Sequence, residues 1–261
     1  MKSIRTLLTI VGISLVLLPF TSVAQWSTNA AVNNQICGLS GEQAIPKIAT
    51  CANGDTYIGY FSNEGGNYDV RLQRLDAQGY LLWAINGILI SNNPQNTWLT
   101  DWDMTCDNAN HCILAFNDIR SSGNTNVVAY RISPSGTFVW GANGIQLSNT
   151  TAFNAAPKVV ATTAGNIVVA WQADNVIIMQ KITPAGSLLW GPAGITLTSA
   201  NRLTWPQLLP VGTDEVIMKY FDDSGPINAP TRHVFAQRYN ASGTAVWSSP
   251  AAISWFSAPR T

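Results

Sequence analysis

Four stretches of this chain spell nearly the same thing: RLDAQGYLLWAINGILIS from Arg74, RISPSGTFVWGANGIQLS from Arg131, KITPAGSLLWGPAGITLT from Lys181 and, more loosely, RYNASGTAVWSSPAAIS from Arg238. An internal repeat constrains a fold strongly, because every unit must take one shape and stack on its neighbours. Aligned on Trp83, Trp140, Trp190 and Trp247, the units are spaced 57, 50 and 57 residues apart. Four residues before each tryptophan stands a glycine: Gly79, Gly136, Gly186 and Gly243. Three residues before each glycine is a side chain that accepts local backbone hydrogen bonds, Asp76, Ser133, Thr183 or Asn240. That is the spelling of a type I turn, with glycine supplying the positive φ that returns the chain as a hairpin.

Each unit holds more strand than this hairpin. In the third, APKVVATT, NIVVAW, VIIMQKI and SLLWG are four short extended runs separated by turn residues, with no helical periodicity between them. Four strands per repeat predict an all-β fold, a β-propeller of four-stranded antiparallel blades. A sandwich of short hairpins is the alternative, but it does not require one sequence repeat per four strands. The units span about 45–91, 96–148, 156–198 and 204–254. The loop between their second and third strands is SNEGGNYD, NDIRSSGNTN, QADN or DDSGPINAPTR, and its shortening in the third unit explains the 50-residue spacing. In a propeller these loops and the connections between blades emerge on one face, so the variation points to a recognition surface on a constant scaffold.

The chain opens with MKSIRTLLTIVGISLVLLPFTSVAQW, in which Lys2 and Arg5 precede an apolar run from Leu7 to Phe20 and a small-residue site ends at Ala24. Residues 1–24 read as a secretory signal, which predicts export to the periplasm, cell surface or medium. The run is too short for a retained membrane span, so none is expected after signal removal. Charged residues make up only 11% of the chain and the net charge is zero, which argues against a general electrostatic hold on nucleic acid. In an exported chain disulfides persist, and Cys106 and Cys112, flanking the turn DNANH, are candidates for a cross-hairpin bridge, with Cys37 and Cys51 as a second pair. The alternative is four buried thiols; no metal site is expected, because neither pair has zinc-type spacing.

Residues 25–261 are expected to form one repeat domain, with Trp26 and Asn29 spaced as Trp83 and Asn86 are, like the tail of a preceding unit. The closing SAPRT resembles the AAPKV that begins the third unit, so the expectation is an incomplete array: a sequence truncated at its C-terminus or an open arc. VFAQRYNASGTAVW, WSTNAAVNNQIC and GEQAIPKIA resemble the blades of exported bacterial repeat proteins, a group of secreted or surface propellers mostly of unassigned function. The turn is also distantly similar to the Asp-box of sialidase-like propellers, although Asp76 lies three residues before Gly79 rather than two and Trp83 four after it rather than three. An Asp-box is itself a structural hairpin.

Arg74, Arg131, Lys181 and Arg238 hold one equivalent position in every unit, which suits blade pairing better than catalysis. The repeated tryptophans read likewise as packing groups. His111 and His233 have no neighbouring nucleophile motif, and Asp101, Asp103 and Asp107 in DWDMTCDN lack the glycine and glutamate of a calcium loop and read as a solvated strand end. Trp98 and Trp205, just before the innermost strands, are the candidate stacking groups for a glycan or protein ligand, with Arg120, Arg202 and Arg232 as hydrogen-bonding neighbours. These residues favour a non-catalytic binding module that needs no cofactor. The competing class is a propeller glycoside hydrolase or lyase drawing acids from Glu64, Asp69, Asp118, Asp222 and Asp223.

Overall fold

The computed structural model describes residues 29, 31, 33–95, 101–120 and 123–253. The segment read as a signal, Trp26 and Trp98 lie outside the described residues. The strands of the first blade are β1 (Gln43–Thr50), β2 (Thr56–Ser62), β3 (Asp69–Leu75) and β4 (Ile88–Ser91). Those of the second are β5 (Asp103–Cys106), β6 (Cys112–Ile119), β7 (Thr125–Ile132) and β8 (Ile145–Gln146). The third has β9 (Asn154–Ala161), β10 (Ile167–Ala173), β11 (Val176–Ile182) and β12 (Ile195–Leu197). The fourth has β13 (Arg202–Val211), β14 (Glu215–Ser224), β15 (Thr231–Tyr239) and β16 (Ala251–Ala252).

Every sheet is four-stranded, antiparallel and ordered as in the chain, and no helix occurs among the described residues. One sheet per sequence repeat is a propeller, not a sandwich. The first strands β1, β5, β9 and β13 touch in succession and form the inner wall, whereas β13 and β1 make no comparable contact, so the blades form an open arc.

Three apolar seams hold adjacent blades together. Tyr57, Phe61, Trp102, Met104 and Leu114 fill the first, Ile113, Val127, Val169 and Trp171 the second, and Val168, Met179, Met218 and Tyr220 the third. The period-two alternation of a strand sends one set of side chains to each neighbouring blade. The fit is closest at Gly59, where an added Cβ would lie 2.5 Å from the Trp102 ring and 3.0 Å from the Met104 sulfur.

The repeated motif works across seams. The Nε1 of Trp83 donates to the Pro134 carbonyl at 3.2 Å, that of Trp140 to Pro184 at 3.0 Å and that of Trp190 to Ala241 at 3.2 Å, in each case the second residue of the next blade's turn. Gly186 and Gly243 sit beneath the tryptophan of the preceding blade: a Cβ there would stand 3.0 Å from Trp140 or Trp190, and both glycines have positive φ. Arg74, Arg131 and Lys181 reach the same three carbonyls. Each also carries an acid partner, Asp55, Asp107 or Asp214. Arg238 pairs with Glu215.

The disulfide joins Cys51 to Cys106, not Cys106 to Cys112 or Cys37 to Cys51. Cys51 follows β1 and Cys106 ends β5, so stacking of the inner strands brings their Cα atoms to 5.3 Å. Cys112 does face Cys106 across the hairpin, but it stays a fully buried thiol whose pKa burial pushes well up. Cys37 is also free. Blade stacking outcompetes sequence proximity. Nor is DWDMTCDN a solvated strand end: Trp102 and Asp107 are buried, and Asp107 accepts from Arg131 at 2.8 Å and from the Ala109 and His111 amides.

Candidate functional site

The inner strand carries an irregularity that the repeat did not announce. Ile45, Ala156 and Trp205, each directly before a proline, have φ of 45°, 48° and 51°. The strand register slips at each of these places. A left-handed residue before proline is sterically disfavoured, and a bulge of this kind redirects the side chain. At Trp205 the result is a tryptophan 42% exposed whose indole N–H has no partner among the described residues.

Trp205 borders a cavity of about 700 Å³ between the third and fourth blades, on the face of the β2–β3-type loops. Arg202, Thr204, Asp223, Ile227 and Arg232 line its fourth-blade side; Phe153, Ala156, Gln172, Asp174 and Asn175 line the third-blade side. Asp101 enters from the second blade. Phe153 is 61% exposed, giving the cavity an aromatic group on each wall.

The charges are largely matched within the protein. Buried Asp223 accepts from Arg232 Nε at 2.8 Å, Arg232 Nη2 at 3.1 Å and Thr204 Oγ1 at 3.1 Å, with Arg202 Nη2 at 3.7 Å. This bidentate fork fixes Arg232 while leaving its side chain 45% exposed. Asp101 bonds Lys47 of β1 at 2.7 Å and Lys158 of β9, bridging the first and third blades. Burial works against ionisation of Asp101, but the hydrogen bonds from Lys158 and Lys47 outweigh it and hold the carboxyl below its ordinary range. Two residues on, burial pushes the Asp103 carboxyl up, against the pull of the Val159 amide and Lys158.

Of the five residues read as ligand-binding, Arg202, Trp205 and Arg232 therefore share one cavity. Arg120 does not line it: it binds Asp118, the Asn143 carbonyl and the Tyr130 hydroxyl inside the second blade. Three of the other candidate acids are engaged, Glu64 with Arg71, Asp118 with Arg120, and Asp222 with Ser199 and Asn201. Burial raises the Asp69 pKa, opposed by Arg71. Sequence reading missed Asp101, Phe153, Gln172, Asp174 and Asn175 as cavity residues; the proline after Ile45, Ala156 and Trp205 was the visible sign of the bulge that shapes it. Among the described residues, no group of three His, Cys, Asp or Glu is placed to hold a metal.

No family model matches the chain, and no curated protein matches it in sequence. Solved structures of similar shape include endo-arabinase from Bacteroides thetaiotaomicron, 12% identical, covering 85% of each chain with a TM-score of 0.49. Penicillium chrysogenum α-L-arabinanase complexed with arabinobiose is 13% identical over 80% of this chain and 66% of that one, with a TM-score of 0.49. A thermostable family-43 glycoside hydrolase is 16% identical over 91% of this chain and 83% of that one, with a TM-score of 0.47. At such identities the likeness is one of fold alone.

Proposed function

We propose that this chain is an exported, non-catalytic propeller module that binds a glycan in the cavity between its third and fourth blades. The observation that carries this reading is Trp205, turned outward by a left-handed bulge with its indole N–H open beside the fixed Arg232 fork. Sugar rings present apolar C–H faces and a rim of hydroxyls, which an exposed indole and an oriented guanidinium satisfy together. Gln172 and Asn175 add amide donors and acceptors at the rim. Export is supported by the signal-like residues 1–24 and by the Cys51–Cys106 bridge. Among the described residues no helix is long and apolar enough to cross a membrane. Titration with a glycan panel tests the reading: Trp205→Ala should weaken binding at least about tenfold, the loss of one stacked aromatic. Trp98→Ala tests the second tryptophan of the same proposal. Binding by no glycan, or equal binding by wild type and Trp205→Ala, would overturn it.

One observation favours a second reading, glycoside hydrolysis. Asp101 lines the cavity, Asp103 begins β5 two residues on, and their proton affinities are displaced in opposite directions, the pattern of an acid and base couple. Release of reducing ends from a polysaccharide, abolished in Asp103→Asn with glycan binding retained, would replace the binding reading with this one.

A further inference from the structure

Each seam between neighbouring blades is closed by one clasp, in which a cation and a tryptophan donate to the carbonyl of the second residue in the next blade's turn. The fourth and first blades each carry half of a further clasp. In the fourth, Arg238 and the Trp247 indole hold the donor positions, and among the described residues neither side chain donates to a backbone carbonyl. In the first, the Ala77 carbonyl holds the place of Pro134, Pro184 and Ala241, and no side chain among the described residues donates to it.

The faces behind these half-clasps repeat the seam pattern without a cover. Ile48 pairs with Ile58 on the side of the first blade turned away from Tyr57 and the second blade, in the register that Met104 and Leu114, and Val159 and Val169, hold inside seams. Met104 and Val159 are buried there, whereas Ile48 is 64% exposed. On the side of the fourth blade turned away from Met218 and the third, Leu209 pairs with Ile217 as Ala49 pairs with Tyr57 and Val160 with Val168. Tyr57 and Val168 are buried in their seams, whereas Leu209 is 58% exposed. Phe221 continues this face, with the Lys219 Nζ 4.1 Å from its ring centre.

We infer that the fourth blade of one molecule docks on the first blade of a second copy of this chain, head to tail, as each blade docks on the next within the arc. The two ends themselves identify the occupant: Ala77 lacks the donors that Arg238 and Trp247 offer, and both faces expose aliphatic pairs at positions that seams bury. Contact between like ends leaves every clasp unmade, because two donor ends or two acceptor ends cannot satisfy one another. With a net charge of zero, no general repulsion opposes the approach of copies. The contact is heterologous, so it closes a ring or extends a chain according to the rotation between copies. Docking also holds the fourth blade on both sides, whereas a lone arc holds it on one.

The test follows the whole chain by sedimentation velocity from about 0.1 to 100 µM. The mass of the wild type should rise to at least that of two chains. Ile48→Lys, which spoils the first-blade face, and Leu209→Lys, which spoils the fourth-blade face, should each weaken self-association at least about tenfold. Both place a charge at an exposed site, so melting curves of the dilute variants should match the wild type. An equimolar mixture of the two should restore a species of two chains, because the intact fourth blade of one variant meets the intact first blade of the other. A wild type that keeps the mass of one chain throughout overturns the inference and leaves these faces to another segment or partner. Wild-type self-association of either variant alone, or a mixture that restores nothing, overturns it as well.

Discussion

The Lys181 ammonium and the Trp190 indole donate to a single oxygen, the Ala241 carbonyl in the turn of the fourth blade, at 3.0 and 3.2 Å. One backbone acceptor thereby ties a buried charge and a large aromatic of one blade to the next. The same arrangement at Pro134 and Pro184 makes the turn a coupling piece as well as a hairpin.

Lys181 is fully buried and also binds Asp214 at 2.5 Å, whereas the equivalent Arg238, paired with Glu215, is 38% exposed. Lys181→Ala should therefore cost about 3–5 kcal/mol, because it removes the buried counter-charge of Asp214 and one donor from each of the Asp214 and Ala241 carbonyls. Arg238→Ala should cost less than about 1 kcal/mol. Urea denaturation midpoints of the two variants measure the contrast.

Gly59 gives way to the Trp102 ring. Gly59→Ala should destabilise the protein by about 1–3 kcal/mol through overpacking. Trp102→Phe in the same chain should recover part of that loss, a positive coupling in a double-mutant cycle.

Reduction, or Cys51→Ala, should lower stability by about 2–4 kcal/mol by opening a long loop. Non-reducing peptide mapping should find Cys51 joined to Cys106. Alkylation should reach Cys37 in the native protein but Cys112 only after unfolding, since Cys112 is buried.

Asp101 and Asp103 should respond oppositely to pH. The folded pKa of Asp101 is depressed, so its stabilisation is present above the unfolded value and vanishes as pH falls through the folded value. Asp101→Asn should cost about 2 kcal/mol at neutral pH, and the cost should shrink on acidification. Asp103 is raised, so its ionisation erodes stability as pH climbs from the unfolded value through the folded one. Asp103→Asn should stabilise the protein at neutral pH, where melting curves compare the two.

Fold and site were unequally legible in the sequence. The Asp76–Gly79 type of turn and its tryptophan are local spellings, and they announced blades because turn chemistry acts within a few residues. The partners of Trp83, Trp140 and Trp190 lie in the next repeat, which no single unit displays. The disulfide was misplaced for that reason: Cys106 has Cys112 as its neighbour in the hairpin, but Cys51 as its neighbour across the seam. At the cavity, Trp205, Arg202 and Arg232 stood out by type and loop position. Phe153 and Asp101 did not, because only the curvature of the arc brings three blades to one opening.

The Cys51–Cys106 bridge stitches the first seam, whereas the second and third seams rely on noncovalent packing. Because each blade is held mainly by its immediate neighbours, heat or mechanical load should fray the arc from the fourth blade inward. Partial proteolysis would then leave a core of the first two blades, the covalently joined pair. The cavity beside Trp205 would be lost before the rest of the domain melts, because one of its walls is the blade that peels away first.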